Sequence, residues 1–107
     1  MNVWHSIQIY EGESYISSHF TKKGALVCQT EDILSYLDER AEDDREQWLS
    51  TMKDWGLENN DFVLREDILN WREWTVDEIW KLRDILIELT WDNGSVDWFF
   101  LGNELQP

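Results

Sequence analysis

The chain is short of cysteine, of basic residues and of long apolar runs, and each shortage excludes something. A single cysteine, Cys28, in 107 residues rules out an internal disulfide and suits a reducing compartment. Only 9 lysines and arginines stand against 23 acids, which gives a formal net charge of −14 and a pI near 4.2. Such a polyanion repels DNA, RNA and anionic lipid instead of releasing their counterions, so direct nucleic-acid binding and membrane binding are excluded as functions. No apolar run approaches the roughly 20 residues needed to span a bilayer. The opening MNVWHSIQIY lacks the basic and long apolar regions of a secretory signal, so a cytoplasmic location is expected. The Asn93-Gly94-Ser95 sequon then has no consequence.

Catalytic signatures are missing too. There is no H-E-x-x-H, no spaced Cys/His set and no glycine-rich loop able to cradle phosphate. Cys28 lies on an apolar helical stripe and reads as a small core residue, not as a nucleophile. His5 and His19 fall on strand faces that point opposite ways. Asp92-x-Gly94-x-x-Asp97 lacks the alternating acidic ligands and the terminal Glu of a calcium loop. The expectation is a non-enzyme with no metal and no cofactor.

What the chain has in abundance is tryptophan and acid. Eight Trp and 14% aromatics argue against disorder, because disordered acidic chains are aromatic-poor. Residues 1–107 make one domain, large enough to bury roughly 65% of the unfolded surface.

The order of elements follows from periodicity. Residues 3–20 alternate as a hairpin, with Val3, His5, Ile7 and Ile9 on one face and Trp4, Ser6, Gln8 and Tyr10 on the other; Glu11-Gly12-Glu13 makes the turn. Thr21 reads as the N-cap of a helix over 22–38, with a break and restart at Thr30 as an alternative. Lys22 and Lys23 sit at the wrong end for that helix dipole, a hint that they serve contacts or charge balance. A second helix over 42–55 carries Trp48, Leu49, Met52 and Trp55 and stops at Gly56. Residues 62–74 fit a helix through Leu64, Ile68 and Trp71, or a short strand at 62–65 followed by a turn. Thr75-Val76-Asp77-Glu78 is a capping box opening a helix whose Ile79, Leu82, Leu86 and Leu89 form one seam. The alternation of Ile85, Ile87, Leu89 and Trp91 before Asn93-Gly94 keeps a hairpin strand open there. Residues 95–101 put Val96, Trp98 and Phe100 on one face of a last strand. The expected fold is α+β: a small antiparallel sheet, built from the N-terminal hairpin and the C-terminal strand, packed with three to four helices.

The acids cluster. In Asp38–Glu46, DERAEDDRE, six of nine residues are acidic. On a helix, Glu39, Asp43 and Glu46 would share one face, with Glu42 and Asp44 beside them. Glu73, Asp77, Asp84 and Glu88 would form a second row opposite the leucine seam. Neighbours on such rows lie about 5–6 Å apart at the Cβ, comparable to phosphate spacing along a nucleic-acid strand. A solvated helix face is the plain alternative. Tryptophan is a favoured interface anchor, so Trp71, Trp74 and Trp91 are contact candidates, each with a core role as the alternative.

The phrases Tyr10-Glu11-Gly12-Glu13 and Phe20–Val27, with the acids of Asp38–Glu46, resemble small acidic phage-encoded proteins of the anti-CRISPR and anti-restriction type, which mimic nucleic acid. That resemblance implies a stoichiometric inhibitor of a host defence complex inside a bacterial cell. Lys22, Lys23 and the dense tryptophan set depart from a purely acidic mimic.

The expected function is therefore a non-catalytic inhibitor that binds a basic nucleic-acid-handling protein, a nuclease or surveillance complex, and blocks its DNA or RNA site. Two alternatives stay open: an immunity protein or antitoxin against a cognate nuclease toxin, and a small Trp-rich scaffold or adaptor subunit. Oligomeric state is not legible.

Overall fold

A computed structural model describes residues 2–91 and 96–104, excluding the side chains of Asn2, Asn103 and Glu104. The chain runs β1 (Asn2–Tyr10), β2 (Glu13–His19), α1 (Lys22–Asp38), α2 (Arg45–Asp54), a 3₁₀ helix (Ile68–Glu73), α3 (Val76–Trp91) and β3 (Val96–Glu104). The three strands form one antiparallel sheet in the order β2-β1-β3, and α1 and α3 pack against it and against each other, which is the expected α+β fold.

The hairpin register is carried by its turn. Glu11 (φ 50°) and Gly12 (φ 82°) both sit at positive φ, the pairing that matches the right-handed twist of the flanking strands. Glycine takes that geometry freely. β1 then pairs Ile7 with Ile16 on one side and with Phe99 on the other. The face with Trp4, Ser6, Gln8 and Tyr10 turns toward the helices, joined by Val96, Trp98 and Phe100 of β3. The opposite face carries Ile7, Ile16, Phe99 and Leu101, and the last three are exposed.

Local capping rules set the helix ends. The Thr21 hydroxyl accepts from the Gly24 amide at 2.9 Å and opens α1. α1 runs through Thr30 without a break, and the buried Thr30 hydroxyl is satisfied by donating to the Leu26 carbonyl one turn back, at 2.7 Å. α2 closes on Gly56 (φ 78°) with the Leu57 amide bonded to Met52 O at 2.7 Å and the Gly56 amide to Lys53 O at 3.0 Å, a Schellman motif. The Thr75–Glu78 capping box is reciprocal: Thr75 N–H donates to Glu78 Oε1 at 3.2 Å and Glu78 N–H to Thr75 Oγ1 at 3.3 Å.

One expectation changes here, and one open choice closes on the helix that the capping box favoured. Residues 62–74 are neither one α-helix nor a strand plus turn; they are turns followed by the 3₁₀ helix, pinned by Trp48, whose indole N–H donates to Val63 O at 2.8 Å. Residues 85–91 are helix and not a hairpin strand, since α3 continues to Trp91. The Asn93-Gly94 turn and the sequon lie outside the described residues.

The core combines Leu26, Ile33 and Leu34 of α1 with Trp48 and Met52 of α2, Ile68 and Trp71 of the 3₁₀ helix, and Ile79, Leu82 and Leu86 of α3. Each such large apolar side chain contributes roughly 1.5–3 kcal/mol on burial. Across it, buried Gln29 donates to Phe99 O at 2.6 Å and accepts from Arg83, tying α1, α3 and β3 together. No described helix is long and apolar enough to cross a membrane.

Candidate functional site

Four of the five arginines are held by the fold, and the fifth, Arg40, faces solvent. Arg45 donates to the carbonyls of Leu64, Arg65 and Glu66 at 3.0–3.3 Å, filling the open end of a turn. Arg65 lies 4.0 Å from the Trp74 ring centre and pairs with Asp67 at 2.8 Å and Glu78 at 2.5 Å. Arg72 covers Trp71 at 4.4 Å and pairs with Glu42 at 2.9 Å and Glu31 at 3.5 Å. Arg83, only 7% exposed, lies over Trp80, donates to Gln29 and pairs with Asp84 at 3.0 Å. Burial holds its guanidinium below the ordinary arginine range, partly offset by Asp84. Lys22 likewise sits over Trp4 and Trp80, at 5.7 and 5.4 Å, so a contact accounts for it at the unfavourable helix end.

With these cations engaged, the acids dominate the exposed surface, where Arg40, Lys53 and Lys81 are also found. They do not lie as the sequence pattern implied. Residues 39–44 are turns, so Glu39, Asp43 and Glu46 do not share a helical face. The cause is local competition from acidic side chains: Asp38 Oδ1 takes the Arg40 amide at 2.9 Å and ends α1, and Asp44 Oδ1 takes the Gln47 amide at 2.7 Å and starts α2. Glu39 and Asp43 are exposed on the connection and Glu46 on the first turn of α2, beside the solvent-facing Arg40.

Glu42 has a different place. It is half-buried, accepts the Trp71 indole N–H at 2.6 Å and holds Arg72 through both oxygens. It is an anchor of the fold, and it ties the connection to the 3₁₀ helix, where Glu73 follows as an exposed residue. Glu73 precedes α3 and is not part of its row. Asp77, Asp84 and Glu88 do share the exposed face of α3, but Lys81 lies between them and Arg83 pairs with Asp84.

The tryptophan candidates divide. Trp71 (0% exposed) and Trp74 (5%) are core residues whose indole N–H groups are taken by Glu42 and Asp67, so neither is presented to a partner. This removes the Trp71/Trp74 docking face that a scaffold subunit would have used. Trp91 is 63% exposed and borders a cavity of about 460 Å³ with Leu57, Asn60, Ile85, Glu88 and Leu89.

Cys28 is half-buried, not part of the core. Its Sγ lies 3.3 Å from Ser17 Oγ, which is 2.9 Å from His19 Nε2. His5 is on the other sheet face with Ser18 at 2.9 Å. Among the described residues, no group of three or more His, Cys, Asp or Glu side chains is placed to hold a metal ion. Sequence reasoning missed the inward use of the arginines. Arginine adjoining tryptophan in Trp71-Arg72 was the one local signal for it.

Comparison of the chain with protein-family models, with curated proteins and with solved structures returned no match.

Proposed function

We propose that the chain is a stoichiometric, non-catalytic inhibitor that occupies the basic nucleic-acid-binding surface of another protein. One observation carries the reading. Four of the five arginines, Arg45, Arg65, Arg72 and Arg83, are taken up by internal carbonyls, rings and ion pairs, while Glu39, Asp43, Asp44, Glu46 and Glu73 stand exposed around the α1–α2 connection with Arg40 as the exposed base among them. A surface of this sign attracts a basic cleft and speeds encounter with it. The connection is favoured over the α3 row, because its five exposed acids surround one exposed base, Arg40, whereas the three acids of the α3 row share their face with Lys81 and the Arg83 ion pair.

The decisive experiment is capture from bacterial lysate at two salt concentrations, with DNA as competitor. Binding should weaken as salt rises and should be displaced by DNA. Charge reversal of Glu39, Asp43 and Glu46 together, whose side chains fix no core group, should weaken binding at least tenfold at low salt, while the unfolding free energy changes by no more than about 1 kcal/mol, mostly from Glu46 in the first turn of α2. Capture indifferent to salt, DNA and this triple change would refute the reading. The captured protein itself separates a defence complex from a cognate toxin.

A further inference from the structure

Between the hairpin and α1 lies an open groove of about 530 Å³ lined by Gln8, Tyr10, Tyr15, Asp32, Ser35 and Tyr36. Gln8 makes its floor, paired across the sheet with Tyr15 on one side and Trp98 on the other. Tyr36 stands edge-on to Tyr10 at 5.9 Å and to Trp98 at 6.2 Å, so two tyrosines of the wall are fixed against each other and against a core ring behind them. The Tyr15 hydroxyl donates to Glu13 at 2.7 Å, which steadies that ring and sets a second carboxylate at the rim.

The rest of the molecule shows what such a surface takes. Trp4, Phe100 and Trp80 are covered by Lys22 and Arg83; Phe62 and Trp74 are covered by Arg65, with Lys81 also on Phe62. Among the described residues, the Tyr10–Tyr36–Trp98 run is the packed aromatic cluster without a cation, and no lysine or arginine lines its groove. It has a carboxylate instead. Asp32 forms no ion pair among the described residues, and its nearest polar contact is the Cys28 thiol at 4.0 Å. Desolvation, with Glu31 next, holds that carboxyl above its ordinary range, and His19 acts weakly the other way. Tyrosine rings, whose π faces are negative, lining a groove that holds an uncompensated carboxylate and no base make a site for an organic cation.

We propose that this groove binds an alkylammonium or guanidinium group, supplied by a lysine or arginine side chain of the basic partner. The identity of the donor rests on the function proposed above; the cation-binding property of the groove does not.

The test is amide NMR of the full chain titrated with n-butylammonium, with n-butanol as the neutral isostere. Saturable shifts confined to Gln8, Tyr10, Ser35 and Tyr36, absent with butanol, are expected. Asp32→Asn should weaken the binding by about tenfold, and Asp43→Asn should leave it unchanged. Asp32 is exposed and caps nothing, so the spectrum outside the groove should be preserved. Equal response to butanol, equal affinity in Asp32→Asn, or shifts spread over all exposed acids would overturn the site. In the lysate capture, Asp32→Asn should also reduce recovery of the partner. If butylammonium fills the groove but recovery is unaffected, the partner's side chain is not the occupant, and tighter binding of spermidine would assign the groove to free amines. If the groove stays empty while salt-sensitive capture persists, the groove inference fails and the proposed function stands.

Discussion

Replacing Glu42 with alanine takes the acceptor away from an indole N–H that has no access to water. Trp71 is 0% exposed and its Nε1–H donates to Glu42 at 2.6 Å. A buried donor left without a partner costs about 1–3 kcal/mol. The Arg72 ion pair is lost as well, but its side chains are 42% and 26% exposed, so solvent screening limits that part to about 0.5–1 kcal/mol. The sum is about 1.5–4 kcal/mol, equivalent to roughly 6–20 °C in Tm for a domain near this size. Glu42→Gln keeps a carbonyl oxygen for the indole and should cost about 1 kcal/mol or less. Asp43→Ala, one residue along and exposed, should fall within about 0.5 kcal/mol of the parent. Urea unfolding followed by tryptophan fluorescence measures all three, as shifts in midpoint at constant slope. If Glu42→Ala and Asp43→Ala unfold at the same midpoint, Glu42 is not an anchor and the division between structural and exposed acids collapses.

Acid should weaken the fold through Arg65. Hydrogen bonds from Arg65 hold the Asp67 and Glu78 carboxyls below their ordinary range, with the Thr75 amide adding to the effect on Glu78. A depressed folded-state pKa means stability that is present above the unfolded pKa, near 4, and lost as pH falls through the lower folded value. Tm should thus be level above about pH 5 and drop below about pH 4, and Arg65→Met should flatten the drop. Gly102 lies opposite Trp4, whose ring occupies the place a Cβ would take, so Gly102→Val should cost about 1–3 kcal/mol and shift the Trp4 resonances in an NMR spectrum. Gly56→Ala, at φ 78°, should cost about 1 kcal/mol in a urea titration through strain at the α2 C-terminus.

Much of the fold could be read locally. The hairpin, the Thr21 cap, the Gly56 stop and the Thr75–Glu78 box each depend on residues within a few positions of one another, and each stands where the pattern placed it. The helical run assigned to 42–55 began too early for a reason that was also local. Asp38 and Asp44 compete for backbone amides, and a dense acidic run ends helices as readily as it lines them. The site was far less legible. Periodicity put Glu39, Asp43 and Glu46 in a row that the turns dissolve, and composition could not tell that Glu42 belongs with Trp71, 29 residues away.

The amino-acid sequence alone determined the sign of the surface, the order of the elements and the pairing of the C-terminal strand with the hairpin. These follow from charge count, capping chemistry and strand alternation, all short-range or additive properties. Tertiary structure decided which charges are available. Only packing could turn Arg45, Arg65, Arg72 and Arg83 onto carbonyls, rings and carboxylates, seal Trp71 and Trp74 in the core, and gather Tyr10, Tyr15, Tyr36 and Asp32 around one groove from three separate elements. Burial and ion pairing are relations between distant residues, and they separate the acids that hold this fold from those left free to meet a partner.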